Sequence, residues 1–366
     1  MVGTMKILFV AGTFDDNGGK PSGYMQKMAN SIKKGLCDDQ EFIEYNGGSW
    51  EKMLVEVFPK VAQMPELIYW FADISNDKVK LVDKIKAISP KSLLIISKNN
   101  MDSKYSIHGL VGKMLKLHAN LMLEISGSKD KILASIYDPL GNCFSKNEDD
   151  VFTVSLDLTM RIQDIMSYGR IGSECIGDAV EIPNEEEFFN ISKIYANKFH
   201  ELVHADNKDR FLGNLSFRCE NGFPSFRSGD NIYVSKRNVD KRDIGIDGFV
   251  CVDRGMLNHD SVSLKYYGNN KPSVDSPIHV MLYNQYDNLR YIMHSHVYIA
   301  GIPITKGVIP CGCTEEAYAI EDMVGKKLRD FCMVNLNGHG SIVLASDVKH
   351  LTDIKYVARE IPTIQY

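Results

Sequence analysis

Short apolar runs recur through the first half of this chain with amphipathic stretches between them, and that alternation leaves few folds open. Lys6-Ile-Leu-Phe-Val-Ala-Gly12, Phe42-Ile-Glu-Tyr45, Leu67-Ile-Tyr-Trp-Phe71, Ser92-Leu-Leu-Ile-Ile-Ser97 and Leu121-Met-Leu-Glu-Ile125 have the length and content of buried strands. Ile132 to Tyr137 predicts a sixth, ended by Asp138-Pro-Leu-Gly-Asn142. The intervening stretches have helical spacing: Met25, Met28, Ile32 and Leu36, then Met53, Val57 and Val61, then Val79 to Ile88 and Ile107 to His118. A helix around Leu156–Tyr168 closes the unit. Continuous apolar strands alternating with helices predict a mostly parallel sheet covered on both faces, an α/β fold of the flavodoxin or Rossmann-like kind over residues 1–180. Ligands of such sheets bind at the carboxyl ends of the strands. The loop Gly12 to Ser22 lies there, with three glycines, Lys20 and Ser22. It reads either as an anion cradle before a helix N-terminus or as a long polar loop; it has neither the dinucleotide-binding nor the Walker spacing. Asp138, His108 and Arg170 are candidates by location alone, and a structural role is the simpler reading of each.

The 366 residues, 44% of them hydrophobic, suffice for two domains. Residues 172–186 have no period and read as a linker, which places a second domain at residues 181–366. With 42 basic and 47 acidic residues, a net charge of −5 and no basic run, nucleic acid is excluded as the primary partner. No apolar stretch approaches the roughly 20 residues of a membrane span. The first apolar run reads as a strand and not as a signal peptide, and eight irregularly spaced cysteines read as reduced, so a cytoplasmic location is expected.

The second half carries the chemistry. His294 and His296 stand one residue apart inside an apolar run from Tyr291 to Ile299, and His339 sits in Asn337-Gly338-His339-Gly340 between strand-like segments. On a strand, an H-x-H places both imidazoles on one face. Three neutral imidazoles with an open fourth position make a catalytic site for Zn2+ or another divalent metal. A rival stands earlier, at His200-Glu-Leu-Val-His204, which matches the H-E-x-x-H of zinc proteases. The apolar stripe of its helix is Phe188, Ile191, Tyr195, Phe199 and Leu202, so both histidines face away from the core. No spaced third ligand follows, and Glu220 lies beyond a strand-like segment, so the rival is set aside. Cys311 and Cys313 are thiol candidates for a separate metal site, a weak signal without a second pair.

Taken in order, Gly213-Asn-Leu-Ser216, Pro272-Ser-Val-Asp-Ser-Pro-Ile-His279, His294-Ser-His296 and Asn337-Gly-His-Gly340 resemble the class II aldolase/adducin family over about residues 186–345. The resemblance implies a mostly antiparallel sheet flanked by helices and a metal held by His294, His296 and His339. It implies a zinc-dependent aldolase or epimerase acting on a small sugar phosphate, a ketose phosphate, through a metal-stabilised enediolate. The carboxylate that moves the proton falls on Asp275, and Asn214 and Ser273 fall around the substrate phosphate. Ser235 and Lys236 fall on the family's second phosphate loop, where the turn is Ser235-Lys-Arg-Asn238 and the usual glycine is absent. The stretch between His296 and His339, positions 297 to 338, is shorter than the family's usual one. The long C-terminal helices that carry a catalytic tyrosine in some members are absent too. Glu315 or Glu316 is then the candidate for a second acid–base group, the alternative being that both open a helix. Tyr366 is the candidate for the tyrosine, supplied by a neighbouring subunit. Family members are cyclic homo-oligomers, tetramers, and an oligomer is expected here. Two other readings stay open: a dehydratase of the methylthioribulose-phosphate type, and a non-catalytic adducin-like assembly module fused to a nucleotide-binding domain.

Overall fold

The structure is a computed structural model and describes residues 4–35, 40–74, 82–128, 130–203, 211–219, 231–253, 255, 257 and 263–359. The chain divides into two compact units, meeting in sequence between Met166 and Ser167.

The first unit begins β1 (Met5–Asp15), α1 (Gly23–Gly35), β2 (Gln40–Ser49), α2 (Trp50–Lys52) and, after a π-helical turn over Met53–Val57, α3 (Phe58–Ala62). β3 (Leu67–Ile74), α4 (Val82–Ile88), β4 (Leu93–Asn99), α5 (Ile107–Leu117) and β5 (Leu121–Gly127) follow. The sheet order is β2-β1-β3-β4-β5, all parallel, extended by an antiparallel edge of β6 (Ile132–Tyr137) and β7 (Cys143–Glu148). α6 (Val151–Ser167) ends the unit. Period two in β1 divides the core between the two faces of the sheet. Leu8, Val10 and Phe14 pack with Met53, Val57, Leu110 and Met114. Phe9, on the other face, stacks on Phe42, whose ring carries the Lys33 ammonium of α1. β7 has no strand signature in the sequence because it runs from buried Cys143–Ser145 into exposed Lys146 and Asn147, with the register broken twice against β6. Asp138 is a turn residue, accepting from the N–H groups of Leu140 and Asn142.

The second unit comprises β8 (Gly172–Gly177), α7 (Glu186–Leu202), β9 (Asn214–Cys219), β10 (Asn231–Ser235), β11 (Phe249–Val252) and β12 (Ser263–Tyr267). It continues through α8 (Ser276–Gln285), β13 (Tyr291–Ser295), β14 (Tyr298–Ile299), α9 (Glu315–Val324), β15 (Phe331–Leu336), β16 (Gly340–Ala345) and β17 (Tyr356–Val357). The sheet runs β15-β16-β13-β9-β10-β11-β12-β8, antiparallel throughout except for the parallel β12–β8 edge, while β14 and β17 form a separate pair. Gly172–Gly177, expected to be linker, is thus an edge strand; almost all its side chains are exposed, which removes any burial period. One face of the sheet packs on α7 through Phe188, Phe189, Tyr195 and Phe199. The other packs on α8 and α9 through Ile278, Leu282, Ala317 and Ile320. Among the described residues no helix is long and apolar enough to cross a membrane.

Candidate metal centre

β13 lies between β9 and β16, and its register sets His294 opposite Asn214 on one side and Ile342 on the other. The strand ends at Ser295, so His296 stands one residue past it, with its ring 5.2 Å from that of His294. His339 arrives from the turn between β15 and β16, where its N–H donates to Leu336 O at 3.0 Å. The residue after it is Gly340, and a Cβ there would lie 1.9 Å from Ser295 O. Only glycine lets the start of β16 close on β13 at this point. That approach brings the His339 ring to 4.5 Å from His294 and 4.9 Å from His296. The ligating nitrogens of all three lie within 4.8 Å of one another.

The tautomers suit a cation. His294 Nδ1 donates to Ser341 O at 3.0 Å, which leaves the Nε2 lone pair turned inward; that atom is buried and has no hydrogen-bond partner. His339 Nδ1 sits 2.6 Å from Glu316 Oε1, leaving its Nε2 for the centre. A ligating histidine characteristically has its second nitrogen held by a carbonyl or carboxylate in this way. Burial, reinforced by the neighbouring imidazoles, holds His294 well below the usual histidine range. Burial and His339 do the same for His296. At His339 burial works against a proton, and Cys311 and Glu316 outweigh it. A cluster of three imidazoles, two of them buried and one with an orphaned lone pair, is the donor set for a borderline divalent ion such as Zn2+, and the residues fit that group.

Asp275 precedes α8 and lies beside the cluster, with Oδ2 3.9 Å from His294 Nε2. Asn214 Nδ2 donates to the same oxygen at 2.7 Å. Asp275 Oδ1 and Asn214 Oδ1 are buried without partners, so two further acceptors face this region. Glu316, in the first turn of α9, is buried behind His339 on the ring nitrogen that faces away from the cluster. It therefore orients the imidazole; burial also raises its carboxyl above the usual range.

The phosphate set is divided. The N–H of Ser273 donates to Ser235 O at 3.1 Å, and Lys236 bridges Pro272, so the two predicted loops run side by side. The Ser235 hydroxyl is fully buried and accepts from Leu215 N–H at 3.1 Å, which fastens β10 to β9. Lys236 is half-buried and Arg237 exposed. Asn238 takes the left-handed backbone that the missing glycine would otherwise supply.

One residue here escaped sequence reasoning, and another was expected at a separate site. Lys241 is buried in a cleft shared with His296, His200 and Phe211, and its ammonium donates to the carbonyls of Phe211 and Val239 at 3.0 Å each. Burial lowers it to about 8. In a run as polar as Asp240-Lys-Arg-Asp243 nothing local marks that burial. Cys311 places Sγ 3.1 Å from His339 Nε2. The spacing of Cys311 and Cys313 suggested a site of their own, yet it is the fold that brings Cys311 to the histidines. His200 is exposed on the far side of the cleft and joins no metal-ligating group among the described residues. His204, Glu220 and Tyr366 lie outside the described residues.

A mostly antiparallel sheet between helical layers, with imidazoles and a carboxylate converging at one strand end, defines a candidate metal-centre domain. Residues 195–366 match the family model described as Class II Aldolase and Adducin N-terminal domain. Among solved structures, the chain is similar to a sugar-phosphate aldolase from Thermotoga maritima: 15% identity, 45% of this chain and 87% of that one covered, TM-score 0.33. It is similar to an L-fuculose 1-phosphate aldolase: 17% identity, 46% and 82% covered, TM-score 0.32. It is also similar to the DNA/pantothenate metabolism flavoprotein from Streptococcus pneumoniae: 15% identity, 44% and 98% covered, TM-score 0.30. No curated protein matches.

Proposed function

We propose that the second unit is a divalent-metal-dependent lyase or epimerase acting on a small ketose phosphate. The observation that carries the reading is the convergence of three imidazoles, those of His294 and His339 buried and that of His296 half-buried, with the Asp275–Asn214 pair at the end of β13. The metal, when bound, supplies positive charge where a substrate oxygen becomes anionic. Every other part belongs to the chain. Asp275 moves the substrate proton: its Oδ2 is held by Asn214, and its Oδ1 has no protein partner. Glu316 keeps the His339 ring in place. Ser273 and Lys236, on adjacent loops, are the groups for the phosphate, and Asn214 sets the angle of the carboxylate. Val297, Ile299 and Met293 pack the sheet beneath the cluster.

Metal analysis of the purified chain tests the reading. About one divalent ion per chain is expected, and His296→Ala should lose it; a chain that never binds metal, or a variant that keeps its ion, overturns the proposal. Incubation with ribulose 5-phosphate and with fuculose 1-phosphate then separates epimer formation from cleavage to dihydroxyacetone phosphate.

A further inference from the structure

The stretch between β14 and α9 puts a thiol against the histidine cluster. Thr305 anchors this stretch: its N–H donates to Asn335 O at 2.8 Å, and its hydroxyl accepts from Asn337 N–H at 3.0 Å. Further along, the Cys311-Gly312-Cys313 turn presses on the segment before Asp275, since a Cβ on Gly312 would lie 2.6 Å from Val274 Cγ1. The two cysteines then part. Cys313 is fully buried and bridges Arg170. Cys311 faces the centre, where its Sγ, a carboxylate oxygen of Asp275 and a ring nitrogen of His339 lie within 4.8 Å of one another.

His339 is thus common to two candidate ligand groups, the three histidines and the Asp275–Cys311–His339 set. Sulfur and nitrogen bound to one tetrahedral zinc, at about 2.3 and 2.0 Å from the ion, stand roughly 3.5 Å apart. The 3.1 Å between Cys311 Sγ and His339 Nε2 is within a small adjustment of that spacing. A second observation is independent of the cysteine. His294 Nε2 and Asp275 Oδ1, on side chains at least nine-tenths buried, have no hydrogen-bond partner and border the same space.

We propose that Cys311 is a thiolate ligand of this centre, holding the fourth position of an ion carried by His294, His296 and His339. The inference rests on the metal-centre reading above. On binding, the thiol releases one proton to solvent and sulfur donates the electron pair to the ion, so no redox partner is involved. A sulfur donor biases the site toward zinc and away from magnesium or calcium. It also means that a substrate oxygen reaches the ion by displacing sulfur or by adding as a fifth ligand. The competing use of the same atoms is a nucleophilic Cys311–His339–Glu316 line, in which the thiolate stays free.

Cobalt(II) titrated into the metal-free full-length chain tells these apart. The expected result is one cobalt per chain with an intense near-ultraviolet thiolate-to-cobalt absorption band. That band should be lost in Cys311→Ser and retained in Cys313→Ser. Cobalt bound without the band, or a band that survives Cys311→Ser, overturns thiolate ligation while leaving the metal centre standing. A chain that binds no cobalt overturns the metal centre itself, and the ligand with it. Iodoacetamide labelling of the unsubstituted chain provides a second measurement that does not depend on how Cys311→Ser affects the turn. Labelling at Cys311 should be lost when zinc is added; equal labelling with and without zinc favours the free nucleophile and overturns the proposal.

Discussion

The loop after β1 in the first unit and the turn before β16 in the second both lie at strand ends, rich in glycine and polar side chains, and they use their polar groups in opposite ways. The Gly12 to Ser22 stretch, the end of β1 and the loop after it, is satisfied internally and by β2. Thr13 N–H donates to Lys20 O, Lys20 N–H to Thr13 Oγ1, Gly19 N–H to Gly48 O, and Gly18 N–H to Asp15 O. Ser22 caps α1 at Met25, and Asn46 takes both backbone groups of Ser22. The N–H groups of Thr13, Gly18, Gly19, Lys20 and Ser22 already have acceptors in the stretch or on β2, which favours the polar-loop reading over the anion cradle. Around His339 the reverse holds: Asn214 Oδ1, Asp275 Oδ1 and His294 Nε2 are all buried without partners. An unsatisfied buried polar atom costs about 1–3 kcal/mol. A fold that gathers several in one place is holding them for something that binds there. Glycine and polarity at a strand end are therefore a poor guide by themselves; what separates the two regions is whether the polar atoms already have partners.

Four substitutions test the contrast. Asp275→Asn keeps the shape and the contact with Asn214 but removes the charge. Turnover of a cleaved or epimerised ketose phosphate should fall about a hundred- to ten-thousand-fold, the usual contribution of a general acid or base, with metal retained. Loss of the ion as well would make Asp275 a ligand. Glu316→Gln weakens the support behind His339, and metal affinity, measured by competition with a chelator, should fall about 10–100-fold. An unchanged affinity would reduce Glu316 to packing. Asn46→Ala strips the first-unit loop of its brace at Ser22 and Gln26. Denaturant unfolding should show a loss of about 1–3 kcal/mol, with metal content unaltered. If metal fell too, the two regions would not be independent. His200→Ala should change neither stability beyond about 0.5 kcal/mol nor metal content, as for an ordinary surface position. A lost ion would restore the H-E-x-x-H helix as a ligand source.

What was legible in the sequence follows from how far each signal reaches along the chain. β1, β3, β4 and β5 are buried on both faces and declare themselves as apolar runs. β8, an exposed edge, and β7, bulged and half polar, have no such pattern, and both became visible only through their pairing. The three histidines were readable because two stand beside a buried strand and the third on a tight turn, each a local motif. Period two explains less of the H-x-H than expected, because β13 stops at Ser295 and His296 leaves the strand. Glu316 was visible as an acid opening a helix, but its place behind His339 depends on α9 folding over the β15–β16 turn. Lys241 has no local signature at all, and that of Cys311, its spacing from Cys313, pointed to a separate site. Their positions are set by irregular segments packed against distant ones, Gly312 on Val274 and the Lys241 ammonium on Phe211 O.

The close approach at Gly340 separates two things usually changed together. The gap between the turn imidazole and the His294–His296 pair is set backbone to backbone, where β16 meets Ser295 O with no side chain between. The donors that line the gap come from elsewhere: Asp275 from the start of α8, Glu316 from α9 and Cys311 from an irregular loop. Lining and spacing are thus specified by different parts of the chain. A centre built this way is like a vice whose jaws can be refaced without altering the opening between them.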